Sequence, residues 1–183
     1  MATLTHAREA VVQTLYAQEQ GNDKALEQFE SHLEERKIKG RKGDFARRLL
    51  RGVQKYLPEI DKLLKENLVG WDLERLDKVD KQILRLALYE IFYENQPYRI
   101  AISEAIKIAK LYSEEKSRQF INGVLHQIVQ KAGLVEKEQK EKEEKEKKGE
   151  KEKESSGELG ELEEKSETPL TDSKDSPSSP EKE

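Results

Sequence analysis

Apolar residues recur every three or four positions through most of residues 3–133, and no stretch alternates apolar with polar residues. This spacing predicts amphipathic helices rather than strands. The segment 79–93 is apolar on nearly every side, which is typical of a helix buried in the middle of its domain. We predict one helical turn at about 71–76 and helices at about 3–18, 24–35, 45–68, 79–93, 102–112 and 117–131.

Glycine, proline and capping residues indicate where these helices begin and end. Gly21, Gly70 and Gly133 come just after the last apolar positions of three helices, as glycine does at helix C-termini. Asp44 follows a basic, glycine-bearing loop and is the predicted N-cap of the long helix. Pro58 lies inside that helix and removes a backbone donor, so the helix should bend or split there.

Composition changes sharply near residue 135. Residues 136–183 contain 18 acidic residues, 11 lysines and three large apolar residues, for a net charge of about −7. So few apolar side chains cannot offset the entropy lost on folding, which predicts a mostly disordered tail. Glu–Lys pairs four positions apart could still extend the last helix through 136–148. Residues 1–135 contain 23 basic and 20 acidic residues and are predicted to form one helical domain.

The sequence offers no candidate for catalysis, a metal site or a cofactor. It contains no cysteine, no phosphate-binding glycine loop and no nucleophile elbow. His6, His32 and His126 lie on three different predicted helices, so no metal-binding pair is visible and we expect surface or boundary roles for them. The apolar runs are too short to span a membrane, and we expect a soluble, intracellular protein.

Basic residues suggest a binding surface for phosphates. On the first helix, the pattern predicts that Thr5, Arg8, Glu9 and Gln13 face solvent or a partner. Phosphate contacts mainly require clustered cations. Eight basic residues could form such a surface if helix packing brings them together: Arg8, Lys39, Arg41, Lys42, Arg47, Arg48, Lys116 and Arg118.

Four segments, in this order, resemble the NusB family of transcription antitermination factors. They are HAREAVVQTLY at 6–16, RLDKVD at 75–80 continuing with ILRLALYE at 83–90, PYRIAISEA at 97–105, and FINGVL at 120–125. The resemblance covers about residues 3–133. It implies an all-helical fold of about seven helices in two packed small bundles, and a bacterial, cytoplasmic binding protein that is not an enzyme.

The resemblance also implies partners. Members of the family pair with the small-subunit ribosomal protein NusE to hold the box A element of nascent RNA, notably ribosomal RNA, within the RNA polymerase antitermination complex. The sequence leaves open whether the free protein is a monomer or a homodimer.

Site residues follow from the same resemblance. The RNA-binding positions map onto Arg8, Lys116, Arg118, Gln119, Phe120 and Asn122, and the partner-binding positions map onto Tyr16, Glu74 and Asp80. Cations hold phosphates, and an exposed aromatic ring stacks on an unpaired base.

Two of these assignments have competing explanations, and the chain departs from the family pattern before Arg8. Phe120 is also spaced as a core residue relative to Val124, and Asp80 could be a carboxylate that stabilises a helix start. Family members often carry arginines just before position 8, where this chain has Thr3, Leu4, Thr5 and His6, so fewer phosphates can be neutralised there. Gly123 lies inside a predicted helix, where glycine is unfavourable. The ordinary explanation for a glycine there is the close packing of a neighbouring helix, and the resemblance suggests that it also leaves room near the RNA-binding face.

Two alternatives to an antitermination factor remain. One is the related helical module fused to RNA cytosine methyltransferases, here detached; it would need a catalytic domain that this chain does not supply. The other is a helical protein-interaction scaffold that binds no RNA.

Overall fold

The computed structural model describes residues 1–145, and no strand occurs among them. The all-helical prediction is therefore confirmed. The chain divides into two units, Met1–Glu136 and Lys137–Glu183. The first unit contains one 3-10 helix, Leu73–Arg75, and the helices α1 (Leu4–Glu19), α2 (Phe29–Glu35), α3 (Arg41–Lys55), α4 (Leu57–Asn67), α5 (Lys78–Phe92), α6 (Tyr98–Tyr112) and α7 (Glu115–Lys131).

The start of α1 is fixed by a reciprocal cap. The Thr3 hydroxyl accepts a hydrogen bond from the His6 amide, and the His6 ring accepts one from the Thr3 amide at 2.9 Å. Two backbone donors that a helix start leaves unpaired are thereby satisfied. Thr3 and His6 therefore cap the helix.

The long predicted helix splits at Tyr56 into α3 and α4. Pro58 falls in the first turn of α4, where the backbone amide has no partner in the helix, so proline is tolerated there. The prediction that Asp44 caps α3 is wrong. Gly40, with a φ of 57°, precedes the helix, and Asp44 lies in its first turn, paired with Arg47.

Two other predicted boundaries shift. The segment 24–28 forms turns, so α2 is shorter than the predicted 24–35 helix. α6 begins at Tyr98, directly after Pro97, and thus includes four residues that the apolar pattern omits.

The first unit consists of two bundles that meet along α5. Helices α1, α2 and α3 pack together, α4 to α7 pack together, and α5 contacts α1, α3, α4, α6 and α7. Eleven residues of α5 are buried, which confirms that this helix lies in the middle of the domain. The buried apolar residues of both bundles form one continuous core.

α3 and α5 approach closely because position 52 is a glycine. A Cβ atom on Gly52 would lie 1.9 Å from the Tyr89 ring. Burial, together with a hydrogen bond to the Glu94 carboxylate, raises the pKa of Tyr89 to about 12. The phenol therefore stays protonated and donates to Glu94 across the neutral range.

Beyond α7 the helix is interrupted before it resumes. Gly133 has a φ of 69°, and residues 134–145 are helical again. The expected pairing of charges four positions apart occurs there, between Lys142 and Glu138 at 3.0 Å. The disorder predicted for the rest of the tail concerns residues 146–183, which lie outside the described residues.

Candidate nucleic-acid interface

The first turns of α7 carry polar side chains without partners. Lys116, Gln119 and Asn122 are exposed and Arg118 is half-buried. Within residues 1–145, none of these four side chains forms a hydrogen bond or an ion pair. Their donors and charges are therefore available to a ligand.

Helical geometry sorts these residues onto two flanks. Positions four apart share a face of a helix, so Lys116 lies beside Phe120, and Arg118 lies beside Asn122. Gln119 lies between the two flanks on the exposed face. On the face of α7 opposite Gln119, the two flanks are separated by a stripe of buried residues: Ile121, Val124, Leu125 and Ile128.

Phe120 contacts both the core and a second aromatic ring. It is half-buried and packs against the core. Its ring also lies 5.7 Å from the ring of Trp71, tilted by 51°. Trp71 comes from the turn between α4 and the 3-10 helix, and 61% of it is exposed.

Trp71 was missed as a candidate because the sequence marks it only as the start of a helical turn. It is the chain's one tryptophan and follows Gly70 between two buried leucines, Leu68 and Leu73. A large aromatic residue at a glycine turn was the available signal.

Arg8 does not face solvent, so the predicted exposure of this residue is wrong. Only 4% of it is exposed. Its guanidinium binds both oxygens of Glu90, at 2.7 and 2.9 Å, and lies 3.4 Å from Glu104. Its Cζ is also 5.0 Å from the centre of the Phe45 ring. Two carboxylates neutralise its charge, so from this position it offers no contact to a phosphate.

The cause of this error is that α1 is enclosed on more than one side. α1 packs on α3, α5 and α6, whereas the apolar stripe assigned it a single buried face. Glu9 is buried with Arg8, and an ion pair of 2.6 Å joins it to Arg36. Burial raises the pKa of Glu90, against the opposing hydrogen bond and charge of Arg8.

Half of the eight cations proposed for a phosphate-binding surface make internal contacts. Besides Arg8, Arg47 pairs with Glu30 at 2.7 Å, and Arg48 pairs with Glu94 at 2.9 Å. Lys42 donates to a backbone carbonyl. Packing therefore commits half of this set to internal partners.

Asp80 is also buried, contrary to the prediction of an exposed acid that faces a partner. It is 4% exposed and accepts a hydrogen bond from the Ser113 hydroxyl. This contact joins the first turn of α5 to the residue that follows α6. Asp80 therefore acts inside the bundle.

The other two predicted partner residues are accessible. Tyr16 is half-buried on α1, and the Glu74 side chain is 72% exposed. Glu74 lies 3.5 Å from Lys81, whose own side chain is only 2% exposed. Lys81 also binds Glu19 at 2.5 Å.

Glu19 joins this cluster to the rest of the domain. Arg85 binds Glu19 at 2.9 Å and Asp61 at 2.8 Å, which connects α1, α4 and α5. Burial alone would raise the pKa of Glu19, but the hydrogen bond from Lys81 and the charges of Arg85 and Lys81 lower it.

The three histidines occupy surface or boundary positions, as predicted. His6 and His32 are half-buried and His126 is exposed. Residues 1–145 contain no group of three His, Cys, Asp or Glu residues placed to hold a metal ion. No helix in this part of the chain is long and apolar enough to cross a bilayer.

Comparison with known proteins defines the family. The sequence profile of the NusB family matches residues 5–130. A transcription antitermination protein NusB from a Nitratiruptor species is 41% identical over 131 residues, which are 72% of this chain and 94% of that relative. The chain belongs to the NusB family.

Solved NusB structures share this fold. T. maritima NusB superimposes with a TM-score of 0.65 at 35% identity, covering 70% of this chain and 92% of that one. A structure of the antitermination factors NusB and NusE in complex with double-stranded RNA gives a TM-score of 0.63 at 26% identity, covering 69% and 95%.

The NusB match runs from the first turn of α1 to the last turn of α7. It includes all nine residues predicted to bind RNA or a partner, together with Trp71. Residues 131–183 lie beyond it.

Proposed function

We propose that this chain is an RNA-binding transcription antitermination factor that pairs with the ribosomal protein NusE to bind box A RNA of nascent transcripts, notably ribosomal RNA. The observation that carries the proposal is the NusB family match across residues 5–130. The solved complex of NusB with NusE and RNA supports the choice of partners. Such a factor would act in the bacterial cytoplasm, within the RNA polymerase antitermination complex, and by binding rather than by catalysis.

The RNA contact is assigned to α7. Lys116 and Arg118 would hold phosphates, Gln119 and Asn122 would donate to bases or sugars, and Phe120 would stack on a base. The proposal is supported by the absence of internal partners for these polar side chains within residues 1–145. Arg8 has a supporting role, since its ion pairs join α1 to α5 and α6.

The NusE contact is assigned to Tyr16 and Glu74, with Asp80 acting from inside. An exposed carboxylate suits a basic ribosomal protein. Lys81 contacts Glu74, and Ser113 donates a hydrogen bond to Asp80. Both contacts lie in the region where the 3-10 helix leads into α5.

The test is binding of a fluorescently labelled box A RNA by the full chain with purified NusE, measured by anisotropy at several salt concentrations. Neutralised phosphates release counterions, so affinity should fall steeply as salt rises. Arg118→Gln and Lys116→Gln should each reduce the slope of log affinity against log salt by about one.

Lys24→Gln is the matched control, because Lys24 is an exposed lysine at the turn before α2, away from α7 in the sequence. Its slope should equal that of the unmodified chain. If the chain keeps its helical content but does not bind box A RNA in the presence of NusE, the scaffold alternative is favoured.

Sedimentation of the free chain would decide between monomer and homodimer.

A further inference from the structure

Trp71 lies on a turn that projects from the bundle. The neighbouring Leu68 and Leu73 are 6% and 1% exposed, whereas Val69 and Trp71 are 81% and 61% exposed. Gly70, with a φ of 74°, allows the chain to reverse between them. A tryptophan left in water exposes a large aromatic surface, and such surfaces are enriched at binding sites.

The turn is held in place on both sides. The Trp71 amide donates to the Leu68 carbonyl at 3.4 Å, and the Asp72 carboxylate accepts from the Glu74 amide at 3.2 Å. Gln127 of α7 donates to the Asn67 carbonyl at 3.4 Å, which ties α7 to the end of α4. The backbone of the turn that carries Trp71 is therefore held by hydrogen bonds within the turn, and one hydrogen bond ties the end of α4 to α7.

The Trp71 ring lies beside Phe120 without being covered by it. With 5.7 Å between the ring centres and a tilt of 51°, the two rings are in contact, and Trp71 still has most of its surface in solvent. The pair thus forms an exposed aromatic surface of two rings, one from a turn and one from a helix.

The flank of α7 around this pair is suited to a nucleic acid strand. Lys116 lies one turn before Phe120 and has no ion pair within residues 1–145. Gly123 lies about one turn after Phe120, and a Cβ atom there would meet nothing within 4 Å. A cation, two rings and open space therefore follow one another along this flank.

We propose that Trp71 and Phe120 together form a stacking platform for an unpaired RNA base, while Lys116 binds a neighbouring phosphate. Aromatic rings beside cations are the arrangement with which proteins hold single-stranded nucleic acid. The inference rests on the proposed function and adds Trp71, a residue outside the predicted site, to the RNA-binding surface.

The experiment uses the one tryptophan of the chain as its own reporter. Tryptophan emission is measured while box A RNA is added to the full chain with NusE, and Trp71→Phe provides the blank for any emission from NusE. Stacking of a base on the indole should quench the emission, with the same midpoint as the anisotropy titration.

Affinity provides the second measurement. Trp71→Ala should weaken RNA binding about 5- to 150-fold, which corresponds to the usual contribution of one stacked base. The salt slope should not change, because stacking releases no counterions. Trp71→Phe keeps a ring and should recover most of the affinity. Ile100→Ala, which removes an exposed apolar side chain in the first turn of α6, should have no effect.

The outcomes separate this inference from the proposed function. If the unmodified chain binds RNA with a steep salt slope, but Trp71→Ala binds equally well and the emission does not change, the platform is wrong and the function stands. If the emission changes when NusE is added without RNA, and Trp71→Ala binds NusE more weakly, then Trp71 belongs to the protein interface. No RNA binding by the unmodified chain would overturn both.

Discussion

At the scale of single residues, two helical glycines show how packing decides the role of a side chain. Glycine inside a helix costs about 1 kcal/mol relative to alanine at both Gly52 and Gly123. At Gly52 the closeness of Tyr89 explains the cost, since a Cβ atom would overlap the ring. At Gly123 a Cβ atom would meet no atom of a neighbouring helix within 4 Å, so the explanation by a closely packed neighbouring helix is wrong.

Alanine at these two positions should therefore have opposite effects. Gly52→Ala should lower the free energy of unfolding by about 1 to 3 kcal/mol, because overpacking outweighs the gain in helix propensity. Gly123→Ala should raise it by up to about 1 kcal/mol. Urea unfolding followed by circular dichroism measures both, and equal stability of the two variants would contradict the close approach of α3 and α5.

At the scale of helices, charged side chains join elements that are far apart in the sequence. Glu19 of α1 binds Lys81 and Arg85 of α5, and Arg85 binds Asp61 of α4. The pKa of Glu19 is lowered from an ordinary value of 4.5 despite burial, so the folded chain binds this proton less tightly than the unfolded chain. The stabilising contribution is present above pH 4.5 and is lost as the pH falls through the lower, folded value.

A comparison with Glu19→Gln isolates this contribution. The variant should be less stable than the unmodified chain at pH 7, because Lys81 stays buried after losing one of its two acidic partners. The difference in free energy of unfolding should shrink as the pH falls below about 4.5, because Glu19 is protonated first in the unfolded state and, at lower pH, in the folded state as well. Glu90, whose pKa is raised, is present in both proteins and does not affect the difference. A difference that is constant from about pH 7 to about pH 3 would contradict the assignment.

At the scale of the whole molecule, the two units have different compositions. The continuous core is built from residues of α1 to α7 and the segments between them, with Leu134 and Val135 packed against it. The unit Lys137–Glu183 contributes three leucines, all at positions beyond 145.

Deletion of residues 137–183 should therefore change the thermal midpoint by less than about 5 °C, roughly the effect of 1 kcal/mol on a domain of this size. Differential scanning calorimetry of the full and shortened chains measures this shift. The shortened chain should also retain salt-dependent binding of box A RNA with NusE. A larger loss of midpoint would mean that the tail contributes to the stability of the first unit.

The sequence by itself determined the helices and the family. The apolar spacing of three and four, the glycines at helix ends and Pro58 act within a few residues of their effects, so the all-helical class, the split near Tyr56 and the central α5 were predictable. The segments at 6–16, 75–90, 97–105 and 120–125 predicted the NusB family, which the comparisons show.

Only the tertiary structure decided which polar residues of the site are exposed. Arg8 meets Glu90 and Glu104, which are 82 and 96 positions away, and Asp80 meets Ser113, which is 33 positions away. Helical periodicity describes one helix and contains no information on which neighbours cover its polar face. The contact of Trp71 with Phe120 depends in the same way on how the turn after α4 packs beside α7, because the free energy of such contacts comes from residues that only the fold brings together.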